Sequence, residues 1–337
     1  MNRSPGDILL QIPLDDTIVA KETRDDFSQE QRLALVLLEG LKKGHPYIST
    51  VLPKDHFSFW TLPSSLWENL KPVIPRCYRE SFQATRSMVL DFCSEIESEG
   101  YTMEEILWAF SMVRSRSMAV PELQNDDETL PLALIPGLDL FNHAFDSSTL
   151  LHLEKQKWTL TSSKSLAAGD QVFLSYGDDK DNWKLILAYG FSTKNSKNPL
   201  VFWTWEDLLQ AAGSVRPSVF PGNVQKQLLN HPQLYESYTK LSENRATFSY
   251  NPLEKKPRES LEKGLMMITN LATQLGHGGD TTLANDVMFQ LLSSRIGELK
   301  DARTKLNSEI PSNWKPFVES LFSVIEEEET HLKAEQI

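Results

Sequence analysis

Residues 136–143 read Pro-Gly-Leu-Asp-Leu-Phe-Asn-His, and residues 168–177 read Ala-Gly-Asp-Gln-Val-Phe-Leu-Ser-Tyr-Gly. In the first stretch, the polar pair Asn142-His143 follows a mostly apolar segment, in which Gly137 indicates a turn. In the second, a Gly-Asp turn precedes residues that alternate like a β-strand and end at Tyr176, directly before another glycine. A tyrosine at a strand end can present its hydroxyl to a pocket. An isolated tyrosine or histidine there is more often a core residue whose polar atoms are satisfied.

Short apolar segments around these two stretches predict a small β-rich unit. The predicted strands cover residues 6–13, 132–135, 150–153, 157–162, 171–176 and 199–203. The strands at 150–153 and 157–162 are close enough along the chain to form a hairpin. Residues 181–189 predict a short helix that Gly190 ends.

A helical block from about residue 28 to about residue 117 interrupts this unit. Residues 29–43 and 76–99 have helical spacing, and Thr102 with Glu105 fits a capping box at the start of another helix. Between the first two helices, residues 46–75 are rich in proline and aromatic residues and predict an irregular connection.

Helical spacing prevails beyond residue 205. The strongest predicted helices cover residues 261–275, 283–306 and 316–332. Residues 206–337 are therefore predicted to form an all-α domain. The four consecutive glutamates at 326–329 predict a solvated helix face.

Composition and charge exclude several classes of function. The 337-residue chain is 40% hydrophobic and 24% charged, as in ordinary globular proteins, and no apolar run approaches the roughly 20 residues of a membrane helix. The net charge is −12 without a basic stripe, which disfavours nucleic acid as a partner. Two cysteines and scattered histidines give no metal-ligand spacing. We therefore expect no bound metal, and the lack of a long apolar run indicates that the protein does not bind membranes. The beginning of the chain shows no secretory signal, so we expect a cytoplasmic or nuclear protein.

Six segments, in order, resemble SET-domain methyltransferases of the Rubisco large-subunit methyltransferase type. They are an apolar strand ending in Ile-Pro (5–13), a stretch from Pro-Tyr to Leu-Pro (46–53), a WA…SR helix end (108–116), P-x-x-D-x-x-N-H (136–143), a strand ending in Y-G (168–177) and Y-G-F (189–191). Each segment is common alone, but their order around a helical block makes the signal fairly specific. The resemblance covers residues 5–205.

The resemblance implies an α+β fold with two domains. The first, residues 1–205, would be a SET core of short, mostly antiparallel strands with the helical insertion at about 28–117. In it, the segment at Asn142-His143 would pass beneath a crossing loop, forming a pseudoknot. The second, residues 206–337, would be an all-α substrate-binding domain. No competing motif for phosphate binding, serine hydrolase, zinc protease or dinucleotide-binding chemistry is present in the sequence.

The same resemblance implies that the cofactor is S-adenosylmethionine and that the activity is protein-lysine N-methyl transfer. The implied catalytic residue is Tyr176, whose hydroxyl would orient the target nitrogen. The implied cofactor-binding residues are Asn142, His143, Arg116 and Tyr176. Tyr189 and Phe191 would line the lysine channel, where aromatic faces attract a methylated ammonium. Asp139 is expected to be a structural hydrogen-bond partner and Arg114 a structural helix residue.

Three aspects of function stay open at this point. The cysteine-rich zinc cluster of many histone-directed SET enzymes is missing, which favours a non-histone protein substrate, and we expect a monomer. The family's glycine-rich turn before the first strand has no counterpart here, so a catalytically weakened or inactive SET-fold binding protein is the second hypothesis. A protein-histidine N-methyltransferase on the same scaffold is the third.

Overall fold

The structure, a computed structural model, describes residues 2–20, 26–54, 62, 67–68, 70–71, 74–120, 131–177, 180–193, 201–230, 247–251, 256–257, 259–306 and 314–333. The chain forms two compact units. The first comprises Met1–Leu62, Arg86–Lys180 and Leu187–Tyr189, and the second comprises Pro63–Thr85, Asp181–Ile186 and Gly190–Ile337. The chain passes between the units more than once, whereas the sequence predicts a single boundary after residue 205; that assignment stays a prediction.

The described strands of the first unit form two antiparallel sheets and one parallel pair. In chain order they are β1 (Ile8–Pro13), β2 (Ile18–Val19), β3 (Ser117–Ala119), β4 (Leu132–Leu134), β5 (Asn142–His143), β6 (Thr149–Glu154), β7 (Lys157–Ser162) and β8 (Phe173–Leu174). Strand β7 lies between β1 and β6, β4 lies between β2 and β3, and β5 pairs with β8. The short, mostly antiparallel strands agree with the fold expected from the sequence.

The predicted hairpin is confirmed as β6 and β7. Its two-residue turn, Lys155-Gln156, has φ values of 49° and 61°, the left-handed conformation of a type I′ turn. The inward-facing residues of β7, Trp158 and Leu160, are buried together with Ile12 of β1. The side of the sheet that carries these apolar residues therefore lies in the core of the first unit.

Four helices begin before residue 117 within the described part of the chain. They are α1 (Gln29–Lys42), α2 (Pro46–Thr50), α3 (Arg76–Ile96) and α4 (Met103–Arg116). The capping box predicted at Thr102 and Glu105 is present, and α4 packs against α1. The prediction of an irregular connection was wrong for Pro46–Thr50, because a proline fits the first turn of a helix, where its missing N–H is not needed.

The second unit contains strands as well as helices, so the prediction of an all-α region after residue 205 was wrong. The remaining helices are α5 (Asn182–Tyr189), α6 (Trp205–Val215), α7 (Gly222–Leu229), α8 (Glu259–Ala272), α9 (Leu283–Leu306) and α10 (Lys315–Lys333). Strand β10 (Thr247–Asn251) lies between β9 (Val201–Thr204) and β11 (Lys256–Pro257), antiparallel to both. Phe248 stands opposite Trp203, and burial of these two side chains favours the strand pairing. Among the described helices, none has the length and apolar character that crossing a membrane requires.

The glutamate run on α10 is only partly solvated, which corrects the predicted solvated face. Glu326 is exposed, but Glu328 and Glu329 are buried. Glu328 accepts hydrogen bonds from Arg295 Nε at 2.7 Å and from Trp183 Nε1 at 2.6 Å. A buried carboxylate needs such partners because desolvation disfavours its charge. Burial acts to lower the pKa of Arg295, but the attraction of Glu328 outweighs it and the pKa is raised, so this guanidinium stays charged.

Candidate active site

The parallel pair β5–β8 brings the two deciding sequence stretches together. Asn142 stands opposite Phe173, and His143 stands opposite Leu174. The predicted strand 171–176 is shorter than expected, because the ladder ends at Leu174. The N–H of Tyr176 donates to the Nδ1 atom of His143 at 3.1 Å. This bond makes Nδ1 an acceptor, so the proton of the neutral imidazole lies on Nε2.

The ring of Tyr176 is in contact with two other aromatic rings. Its ring centroid is 5.1 Å from that of His143 and 4.8 Å from that of Tyr189, with tilted ring planes. The hydroxyl donates to the carbonyl oxygen of Phe141 at 2.7 Å. Burial raises the pKa of Tyr176, although the charge of Arg116 acts in the opposite direction. The phenol is therefore neutral at physiological pH.

A buried polar network precedes Asn142. The carboxylate of Asp139 accepts hydrogen bonds from the Gly137 N–H at 3.1 Å and from the Tyr47 hydroxyl. Arg116, the last residue of α4, places Nη1 at 2.9 Å from the Asp139 carbonyl oxygen and at 3.4 Å from its carboxylate.

Burial raises the pKa of Asp139, while the hydrogen bond from Tyr47 and the charge of Arg116 oppose the shift. Asp139 is a structural partner, as predicted. Arg114, also predicted to be structural, pairs with Glu30.

Two polar groups near this network have unused hydrogen-bonding capacity. The Nε–H of Arg116 is buried and has no acceptor among the described residues. The side chain of Asn142 is exposed, and its amide has no hydrogen bond to any described residue. A buried donor without an acceptor costs about 1–3 kcal/mol. Arg116 therefore retains a donor that suits an anionic acceptor, and Asn142 retains an amide that can both donate and accept.

The structure brings together most of the residues predicted to form the site. His143, Tyr176 and Tyr189 are in contact, Asn142 adjoins His143, and Arg116 is close enough to act on the pKa of Tyr176. Phe191 follows Gly190 and belongs to the second unit, so its place in a channel stays a prediction, as do the catalytic and binding roles of the others. No group of three described His, Cys, Asp or Glu side chains is arranged to hold a metal ion.

Tyr47 is the residue of this site for which sequence reasoning gave no role. Its hydroxyl bridges Asp139 and the N–H of Gly137, both about 90 residues further along the chain. The available signal was the segment from Pro46-Tyr47 to Leu52-Pro53, which contributed to the family resemblance but gave no reason for a buried polar contact.

Comparison with solved structures identifies the class of fold. The chain is similar to the crystal structure of the SET domain of LSMT bound to lysine and AdoHcy, with a TM-score of 0.59. The comparison covers 99% of this chain and 83% of that chain at 18% sequence identity. The predicted α+β SET-type fold is thereby confirmed. No protein-family model matches the chain.

Similarity to characterised proteins is more specific. The chain is 32% identical over 105 residues to the chloroplastic Rubisco large-subunit N-methyltransferase of Pisum sativum, covering 28% of this chain and 20% of that protein. It is 25% identical over 201 residues to the ribosomal lysine N-methyltransferase set11 of Schizosaccharomyces pombe, covering 57% of this chain and 52% of that protein. It is 31% identical over 104 residues to the actin-histidine N-methyltransferase of Mus musculus, covering 31% of this chain and 17% of that protein. The matches thus span about half or less of these relatives, and they confirm the resemblance to the Rubisco-methyltransferase-like branch.

Proposed function

We propose that this chain is an S-adenosylmethionine-dependent protein-lysine N-methyltransferase that acts on a non-histone protein. The observation that carries the proposal is the Tyr176 hydroxyl, anchored on the Phe141 carbonyl, with the rings of His143 and Tyr189 in contact with the tyrosine ring. The similarity to lysine methyltransferases supports it. We further propose that the chain works as a monomer in the cytoplasm or nucleus, with a protein rather than a nucleic acid or membrane as its partner.

The residues around Asn142 fit the cofactor. S-adenosylmethionine carries a carboxylate, and the donors of Arg116 that are not bound to Asp139 suit a carboxylate. The exposed amide of Asn142 offers both a donor and an acceptor, and His143 offers its backbone beside it. When bound, the cofactor supplies an electrophilic methyl group. We assign its binding to Arg116, Asn142, His143 and Tyr176.

The role of Tyr176 follows from the direction of its hydrogen bond. Its only hydroxyl proton is donated to Phe141, so the phenolic oxygen can only accept a further hydrogen bond. An amine N–H that donates to this oxygen is held in one orientation, with its lone pair directed away from the tyrosine. Because the pKa of Tyr176 is raised, the phenol stays protonated and does not act as a base. Tyr176 therefore orients the nitrogen.

The substrate nitrogen must be neutral before it can react. A lysine with the reference pKa of about 10.4 loses its proton at pH 7 at a cost of roughly 4.6 kcal/mol. Aromatic surroundings disfavour the ammonium by desolvation and lower this cost. The rings of Tyr176 and Tyr189 supply such an environment and exclude water from the amine.

A second candidate is histidine N-methyl transfer, which the match to the actin-histidine enzyme favours. An imidazole with a pKa of about 6.5 is largely neutral at pH 7 and needs no such deprotonation. The two activities thus differ in pH dependence. Transfer to lysine should still increase between pH 7 and pH 9, whereas transfer to histidine should level off near pH 7.5.

The test combines cofactor binding with methyl transfer. The full chain is incubated with labelled S-adenosylmethionine and a whole-cell extract, and the modified peptide is identified by mass spectrometry. Tyr176→Phe should lower the transfer rate about 10²-fold, the scale on which misalignment acts. Tyr101→Phe, which changes a buried tyrosine whose ring contacts Lys42, is the matched control and should be unaffected.

Each outcome distinguishes the hypotheses. Methyl-lysine supports the proposal, and methyl-histidine supports the second candidate. Calorimetry that shows no cofactor binding, together with no transfer, would establish the inactive binding protein instead. Full activity of Tyr176→Phe would overturn the role given to that hydroxyl.

A further inference from the structure

Tyr47 connects the helical block to the turn that precedes the candidate active site. It lies on the short helix α2, and its hydroxyl makes two hydrogen bonds of opposite direction. The oxygen accepts the N–H of Gly137 at 2.9 Å, and the proton is donated to the Asp139 carboxylate. Burial and the neighbouring Asp139 raise the pKa of Tyr47, so this donor keeps its proton throughout the physiological range.

The turn held by Tyr47 leads directly to the groups that contact Tyr176. Gly137 has a φ of +88°, and a single helical turn, Leu138–Leu140, follows it. The next residue is Phe141, whose carbonyl oxygen anchors the Tyr176 hydroxyl. A shift at Gly137 therefore moves the acceptor that orients Tyr176.

The same hydroxyl also acts on Arg116 through Asp139. One carboxylate oxygen of Asp139 is occupied by Tyr47 and Gly137, and the other faces Arg116 at 3.4 Å. Loss of the Tyr47 proton donor would leave more of the carboxylate charge available to Arg116. The guanidinium would then be drawn toward Asp139 and away from an external carboxylate.

We propose that Tyr47 is a positioning residue, which sets both the Arg116 guanidinium and the Phe141 carbonyl through its bridge between Asp139 and Gly137. This inference rests on the proposed function, since Arg116 and Phe141 matter for transfer only if the chain binds S-adenosylmethionine. It adds to the site a second residue of the helical block, in addition to Arg116 at the end of α4.

The first test uses the chain without cofactor. Hydrogen exchange followed by mass spectrometry should show faster exchange across residues 137–143 in Tyr47→Phe than in the wild type. Exchange across the hairpin of residues 149–162 should stay unchanged, because its ladder pairs these residues with one another and not with Tyr47. Tyr101→Phe serves as the control and should leave both regions at the wild-type rate. Unchanged exchange at residues 137–143 in Tyr47→Phe would overturn the inference.

The second test measures binding and rate. Tyr47→Phe should raise the Kd of S-adenosylmethionine about tenfold, the scale of one charge-assisted hydrogen bond, and lower the maximal rate of methyl incorporation into extract. In an Arg116→Lys background, the same substitution should change the Kd less than twofold, because Tyr47 acts on binding through Arg116. A purely structural role would lower the denaturant midpoint but leave the Kd and the rate at saturation unchanged.

Failure of the inference about Tyr47 can be distinguished from failure of the proposed function. If the wild type binds the cofactor and Tyr47→Phe binds it equally well, the inference about Tyr47 is wrong and the proposed function stands. If the wild type neither binds S-adenosylmethionine nor transfers methyl groups, the proposed function is wrong and the inference falls with it.

Discussion

Replacing Arg295 with methionine should destabilise the second unit far more than replacing Arg303 with methionine. Both arginines lie on α9 and pair with glutamates of α10. Arg295 is 3% exposed and its partner Glu328 is 8% exposed, whereas Arg303 and Glu326 are 51% and 53% exposed. The two substitutions therefore remove similar ion pairs that differ mainly in burial.

The magnitude follows from what each substitution leaves behind. Arg295→Met leaves the charge of Glu328 buried, with Trp183 as its remaining donor, at a cost of about 3–5 kcal/mol. Arg303→Met removes a solvated pair with Glu326 and a 4.0 Å contact with Glu329, whose carboxylate keeps Lys333 as a partner, so we expect a cost of about 0–1 kcal/mol. In the double variant Arg295→Met/Glu328→Gln, the charge at position 328 is removed together with that of Arg295, and the amide oxygen can still accept from Trp183. We expect it to recover more than half of the lost stability.

Urea unfolding followed by tryptophan fluorescence measures these differences. Trp183 is a local probe, because its ring centroid lies 5.6 Å from the Arg295 guanidinium carbon. The reasoning is refuted if Arg295→Met and Arg303→Met agree within about 1 kcal/mol, the range expected for exposed pairs. It is also refuted if the double variant is no more stable than Arg295→Met.

Further predictions concern two glycines and one carboxylate. Gly264→Ala should cost about 1–3 kcal/mol in urea unfolding, because its Cβ would lie 2.7 Å from ring carbons of Phe248. Gly297→Ala, in α9, should instead stabilise by about 0.5–1 kcal/mol, since nothing lies within 4 Å of the added atom. A hydrogen bond from Arg216 lowers the pKa of Asp280 from 3.8 to about 2, so the stability it contributes is complete above about pH 4 and is lost as the pH falls through 2. Carboxyl NMR titration of Arg216→Gln should show the Asp280 midpoint return toward 3.9.

These predictions include their own controls. The two alanine variants have the same gain in helix propensity, so a difference in sign isolates the steric contact. Equal effects of the two variants would contradict the packing argument. An Asp280 midpoint that stays near 2 without Arg216 would show that another group causes the shift.

Locally signalled elements could be predicted from the sequence. The capping box at Thr102 fixed the start of α4, and Asp181 with Gly190 bounded α5. The hairpin was predictable because its strands are separated by two residues. In each case the information lies within one turn of the element, where hydrogen bonds between near neighbours decide the conformation.

Features that depend on distant partners could not be predicted. Strand β10 pairs with β9, which lies more than 40 residues earlier, and its five residues have no local turn signal. Glu328 is buried because Arg295 on another helix compensates its charge, and a run of four glutamates gives no sign of this. Tyr47 meets Asp139 across 92 residues. The position of Tyr176 was predictable only through the ordered motifs, because no local rule brings it to Phe141.

The β6–β7 hairpin has a consequence for the order of folding. It occupies much of the 35-residue interval between Phe141 and Tyr176, so its formation shortens the loop that must close before the tyrosine reaches its acceptor. The two-residue parallel ladder of β5 and β8 by itself offsets little of the conformational entropy that is lost when this loop closes. Refolding should thus restore methyl transfer only after the hairpin has formed. Because Asn-Gly favours the left-handed φ values that Lys155-Gln156 adopts, this replacement in the turn should speed the formation of the hairpin.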